Sequence, residues 1–170
     1  MTVFGRKPEE QDRLDFRILQ FGPVALYYQA AVLERDVAGV TELGYDLHRL
    51  DLEAAGSEEF HELIASSLEF PDYYGRNLDA LDDCLSDVPY TREADVLLVL
   101  ESFDSFFRRD EAFAHGVLDA LWGNALRNQQ VGHTMLVFVR SGDPRLSLPP
   151  VGSSTIYWNQ AEFLDEDRGS

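Results

Sequence analysis

Val96-Leu97-Leu98-Val99-Leu100, closed by Asp95 and Glu101, is the stretch that decides the fold. Five apolar residues in a row leave no polar side for water, so a strand here is covered on both faces, as inside a parallel sheet. Parallel neighbours need crossover connections, and helices supply them. The sequence on either side agrees. Downstream, residues 134–140 (TMLVFVR) repeat the continuous apolar pattern; upstream, residues 47–52 read as a strand, and residues 24–28 as a short buried one after Gly22-Pro23. Helical spacings lie between them. Leu33, Val37, Val40 and Leu43 recur on one face and stop at Gly44; Phe60, Leu63, Ile64 and Leu68 follow Ser57 as N-cap; Phe113, Val117, Leu121 and Leu126 face inward from a long helix over about 111–128. After a proline-rich loop, residues 155–158 read as a last strand and 161–167 as a frayed helical end. Alternating strands and helices define an α/β protein with a mostly parallel sheet. No internal repeat or linker divides the chain.

The 170 residues suffice for one core, and 45% apolar with 12% aromatic residues argues against disorder. Thirty-one acidic residues against fourteen basic ones leave a net charge of −17. Nucleic acid and anionic membranes are therefore poor partners, and a basic protein is the natural complement, although acidity also serves plain solubility. The single cysteine, Cys84, excludes an internal disulfide and fits a reducing compartment. With no basic start leading into an apolar run and no stretch of membrane-spanning length, a cytoplasmic protein is expected.

The most informative polar stretch is 71–86, PDYYGRNLDALDDCLS. Asn77 can cap a helix running to about Val88, whose Leu78, Leu81 and Leu85 share one face. Asp79, Asp82, Asp83 and Ser86 then share a neighbouring face. Like charges at i, i+4 destabilise a helix by a few tenths of a kcal/mol, and only Asp79 is close enough to the N-terminus to gain from the dipole. No base follows within the helix to pair them. Tyr73 and Tyr74, just before it, are amphipathic rings of the kind that anchor interfaces. Carboxylates beside rigid aromatics suit a basic, concave partner. The same residues are also compatible with two core tyrosines and a solvated helix face.

This stretch closely resembles the signature of the barstar family, intracellular inhibitors of the secreted ribonuclease barnase. The match runs through Pro71, Tyr73, Tyr74, Gly75, Asn77, Leu78, Asp79, Ala80, Leu81, Asp83, Cys84 and Leu85, and the order of flanking elements extends it over roughly 45–140. The resemblance implies a small parallel sheet of three core strands, extendable here to four or five, flanked by helices. It also implies that the signature helix and its preceding loop plug a nuclease cleft. By this resemblance Asp83 would take the place of a substrate phosphate and meet catalytic arginine and histidine groups, and Tyr73, Asn77, Leu78, Asp79, Asp82 and Ser86 would surround it, with Tyr74 contributing there or to packing. Two departures stand out. The family often has tryptophan where Asp82 stands, and its second acidic patch, on the long helix, falls near Gly123 and Arg127 here.

The expected organisation is a loosely ordered segment 1–22, an added strand–helix unit 23–44 on the core, a barstar-like domain 45–140 and an extension 141–170. The expected partner is a small basic ribonuclease bound 1:1 by a monomer, with no direct nucleic-acid or membrane contact and no cofactor or metal. Catalysis is not expected. Asp82 and Asp83 are adjacent rather than flanking a cleft, His61-Glu62 lacks the second histidine of a zinc motif, and Cys84 has no partner cysteine. The alternative is a barstar-like interaction or immunity module, as in toxin–antitoxin pairs, for a partner that is not a ribonuclease.

Overall fold

The computed structural model describes residues 12–169. Its elements run α1 (Leu14–Leu19), β1 (Val24–Tyr27), α2 (Ala30–Glu42), β2 (Asp46–Asp51), α3 (Ser57–Ser67), α4 (Leu78–Thr91), β3 (Val96–Glu101), α5 (Phe103–Arg109), α6 (Glu111–Gln130), β4 (Met135–Arg140) and β5 (Tyr157–Trp158). Two 3-10 turns, Gln160–Glu162 and Asp165–Arg168, follow. The five strands form one parallel sheet in the order β2-β3-β4-β1-β5.

The apolar runs are explained by this order. Alternate residues of β3 and β4 enter two different cores. Leu97, Val99, Leu136 and Phe138 meet Leu33, Val37 and Val40 of α2 on one face, with Leu14 and Ile18 of α1 packed against them. Leu98, Leu100, Val137 and Val139 meet Phe60, Ile64, Leu81, Leu85, Val117 and Leu121 on the other. An interior strand flanked by helices on both sides has no polar position to offer, hence VLLVL. The α/β class is therefore as the sequence indicates. Edge strand β2 is the contrast, with only Leu50 buried along its length.

Several local expectations change. The cap of α3 is Gly56, whose N–H donates to Glu59 Oε2 at 2.9 Å, and Ser57 is the first helical residue. On α6 the inward position belongs to Ala125, while Leu126 is 44% exposed. Helix α4 continues past Val88 through Pro89 to Thr91. Helix α5, missed in the sequence, buries Phe103, Phe106 and Phe107.

Residues 14–19 form a helix, where a loose segment was expected, and the reason is a long-range contact. Asp15, 2% exposed, accepts from Tyr45 Oη at 2.8 Å and pairs with Arg13 at 3.0 Å. Residues 1–11, the rest of that expectation, lie outside the described residues. Gly22 joins α1 to β1 at φ 108°, and the Trp122 ring sits where a Cβ would go, at 2.3 Å, so only glycine fits there.

The C-terminal segment is not frayed. Glu162, fully buried, accepts from the backbone N–H of Tyr28 at 2.9 Å, that of Gln29 at 2.5 Å and Asn159 Nδ2 at 2.5 Å. Arg168, 5% exposed, lies 4.4 Å over the Trp158 ring and donates to the carbonyls of Pro144 at 2.8 Å and Glu162 at 2.5 Å. These bonds tie the end of the chain to the junction of β1 and α2. Among the described residues, no helix is long and apolar enough to cross a membrane.

Candidate functional site

Helix α4 is held rigidly at both its start and its buried face. Asn77, in extended conformation, accepts from the Ala80 N–H at 2.8 Å through its side-chain oxygen. Leu81, Leu85 and Val88 are buried in the larger core. Leu78 leans on α6 at Gly116, where a Cβ would stand 2.4 Å from Leu78 Cδ1, so the glycine lets the two helices approach. Leu78 is thus half-buried and only partly available to a partner.

The opposite face is open. Asp79, Asp83 and Ser86 are exposed, and the Ser86 hydroxyl donates to the Asp83 carbonyl at 2.6 Å. The Asp79 and Asp83 carboxylates have no hydrogen-bond or ion-pair partner among the described residues. Two residues not singled out in the sequence extend this surface: exposed Asp87 beside it, and Tyr90, 76% exposed, in line with Asp79, Asp83 and Ser86. Their spacing from Asp79 was a usable signal, but the helix was expected to end at about Val88, before Tyr90.

The two tyrosines of the preceding loop separate. Tyr73 projects outward and is 86% exposed, the most exposed large ring among the described residues. Tyr74 turns inward, against Phe70 at 5.0 Å between ring centroids, and its hydroxyl lies 2.5 Å from His61 Nδ1. Tyr74 therefore packs and fixes the loop. Arg76, at φ 52°, reaches Glu62 on α3 at 3.3 Å.

Asp82 is already partnered. No base lies on its own helix, but α6 supplies one. Asp82 Oδ1 accepts from Arg127 Nη2 at 2.7 Å and from Asn124 Nδ2 at 2.8 Å. The acidic stripe therefore has two unpaired carboxylates, at 79 and 83, and one paired at 82.

Burial and the nearby Arg76 cation hold His61 below the ordinary histidine range, and burial pushes the Tyr74 hydroxyl and the Cys84 thiol up. The fold thus favours the neutral form of His61, whose Nδ1 shares a hydrogen bond with the Tyr74 hydroxyl. A group whose folded pKa is depressed contributes stability above its unfolded value, about 6.5 for histidine, and loses it as pH falls towards the folded value. Thermal stability should therefore drop below about pH 6.5, and less steeply in His61→Gln than in wild type. Melting curves at pH 7.5 and 5.0 check this; equal drops for the two proteins would remove His61 from the acid response. Among the described residues, no three His, Cys, Asp or Glu side chains are grouped to hold a metal ion.

The family described as Barstar (barnase inhibitor) matches residues 45–140, more than half of the chain, and this protein belongs to the barstar family. One similar protein is "Putative ribonuclease inhibitor YrdF" of Bacillus subtilis (strain 168), 42% identical over 67 residues, which are 38% of this chain and 67% of that protein.

Proposed function

We propose that this protein inhibits a small basic ribonuclease as a monomer in a 1:1 complex, by seating α4 and the loop before it in the nuclease's active site. The observation that carries this reading is Asp83. It is an exposed carboxylate with no partner among the described residues, in the middle of a helix whose cap and buried face hold it in place. A fixed anion of this kind offers a nuclease's phosphate-binding cations a counter-charge at little ordering cost. Asp79, Ser86, Asn77 and Tyr73 frame it. The net charge of −17 steers the encounter with a basic partner.

In this reading residues 45–140 are the inhibitory part, and 23–44 and 141–170 are additions that extend the sheet. The protein has no catalytic step of its own and acts in the cytoplasm, protecting the cell that makes the nuclease.

The test is capture of the partner from the native organism on immobilised protein, followed by an RNA-cleavage assay of what is captured. The expected result is a basic nuclease whose activity falls to zero at one equivalent of added inhibitor, with association slowing as salt rises. A captured toxin without RNA-cleaving activity would overturn the ribonuclease assignment and favour the immunity-module alternative.

A further inference from the structure

Asp82 and Asp83 are neighbours in sequence with different surroundings. Asn124, which donates to Asp82, is fully buried and also donates to the Ala120 carbonyl at 2.9 Å, so its amide is anchored to α6. Arg127 adds its guanidinium to the same Asp82 oxygen. The Asp82 and Arg127 side chains are 48% and 53% exposed, so the pair lies at the surface, along the seam of α4 and α6 beside the Asp79–Asp83 stripe. One oxygen of Asp82 is thus occupied by two donors before any partner arrives. A partner cation at this point meets a carboxylate whose charge is already shared with a guanidinium, so its gain is reduced. A cation facing α6 is also repelled by Arg127 itself.

We propose that Arg127 is a specificity-determining residue. It keeps Asp82 out of recognition, so that the face is read through Asp79 and Asp83. It also selects against nucleases whose cleft rim carries a cation opposite α6, in favour of those with a neutral or acceptor group there. Anchored Asn124 keeps the carboxylate turned towards α6 and makes the arrangement standing rather than transient. The proposal rests on the inhibitory reading of α4.

The experiment measures binding of barnase, as a small basic ribonuclease, to wild type, Asp83→Ala, Arg127→Met, Asp82→Asn and the Asp82→Asn/Arg127→Met double variant at low ionic strength. Melting temperatures confirm that each surface variant is folded. Arg127→Met frees Asp82 and should tighten binding by roughly fivefold, the scale of an exposed ion pair, and most of this gain should vanish in the Asp82→Asn background. An equal gain in both backgrounds would reduce Arg127 to a bare charge effect and overturn the proposal, as would no change or weaker binding. If Asp83→Ala weakens binding while Arg127→Met does nothing, only the present proposal fails. If Asp83→Ala binds as wild type does, the inhibitory reading of α4 fails and takes this proposal with it; if wild type does not bind and Arg127→Met does not restore binding, only the present proposal fails.

Discussion

Asp83→Ala should weaken binding of the ribonuclease partner by about 3 kcal/mol or more, a loss of at least roughly a hundredfold. The fold does not depend on this carboxylate, which has no partner among the described residues. Removing it relieves an i, i+4 repulsion with Asp79, so stability should stay level or rise by a few tenths of a kcal/mol. The complex depends on it because nuclease cations buried under α4 would be left without a counter-charge, and most of the measured loss is that penalty. The change should fall mainly on dissociation, since one charge among thirty-one acidic residues alters long-range steering little. Binding kinetics of the two proteins, with a denaturation curve for each, separate these effects. Equal affinities would remove Asp83 from the site.

Glu162→Ala should destabilise the protein by roughly 2–4 kcal/mol while leaving affinity for the nuclease unchanged in the folded protein. The fully buried carboxylate answers the N–H groups of Tyr28 and Gln29 and the Asn159 amide, and alanine answers none of them. A buried donor left without an acceptor loses its hydration with no return. Glu162→Gln keeps one acceptor oxygen but turns an NH₂ towards the remaining donors, so an intermediate loss is expected. Glu162 touches none of the residues on the exposed face of α4. Urea denaturation and binding assays on the same samples check both halves, and a loss below about 0.5 kcal/mol for alanine would show that the C-terminal segment adds little to stability.

The sequence is most readable where one face or both faces of an element are covered throughout. β3 and β4 show it as unbroken apolar runs, and α2 as Leu33, Val37 and Val40, all buried. The capped start of α4 is equally plain, because Asn77 and the leucines act within a few residues of each other. Short elements are not readable. Six residues in α1 and seven in α5 establish no period, and α1 is ordered by a tyrosine thirty positions away. The same distinction divides the site. Asp79, Asp83 and Ser86 share a face by spacing alone, whereas Asp82 meets Arg127 only because α4 and α6 lie close together, with Leu78 resting on Gly116. Likewise nothing beside Tyr74 says that it turns inward. That is decided by His61 on another helix.

The strand order has a consequence during synthesis. β1 leaves the ribosome before the other strands, yet its two neighbours are the last to be made: Val24 pairs with Val137, and Ala25 with Tyr157. At about 5–20 residues per second, the intervening stretch of roughly 110 residues takes about 6–22 s to translate. Throughout that interval VALY, buried along its whole length in the finished sheet, has no strand to lie against. The loop that must close is long, but loop-closure entropy grows only slowly with length, so the penalty is delay rather than lost stability. The first strand made is inserted late, and the nascent chain carries a sticky apolar segment for seconds, long enough for a chaperone to hold it.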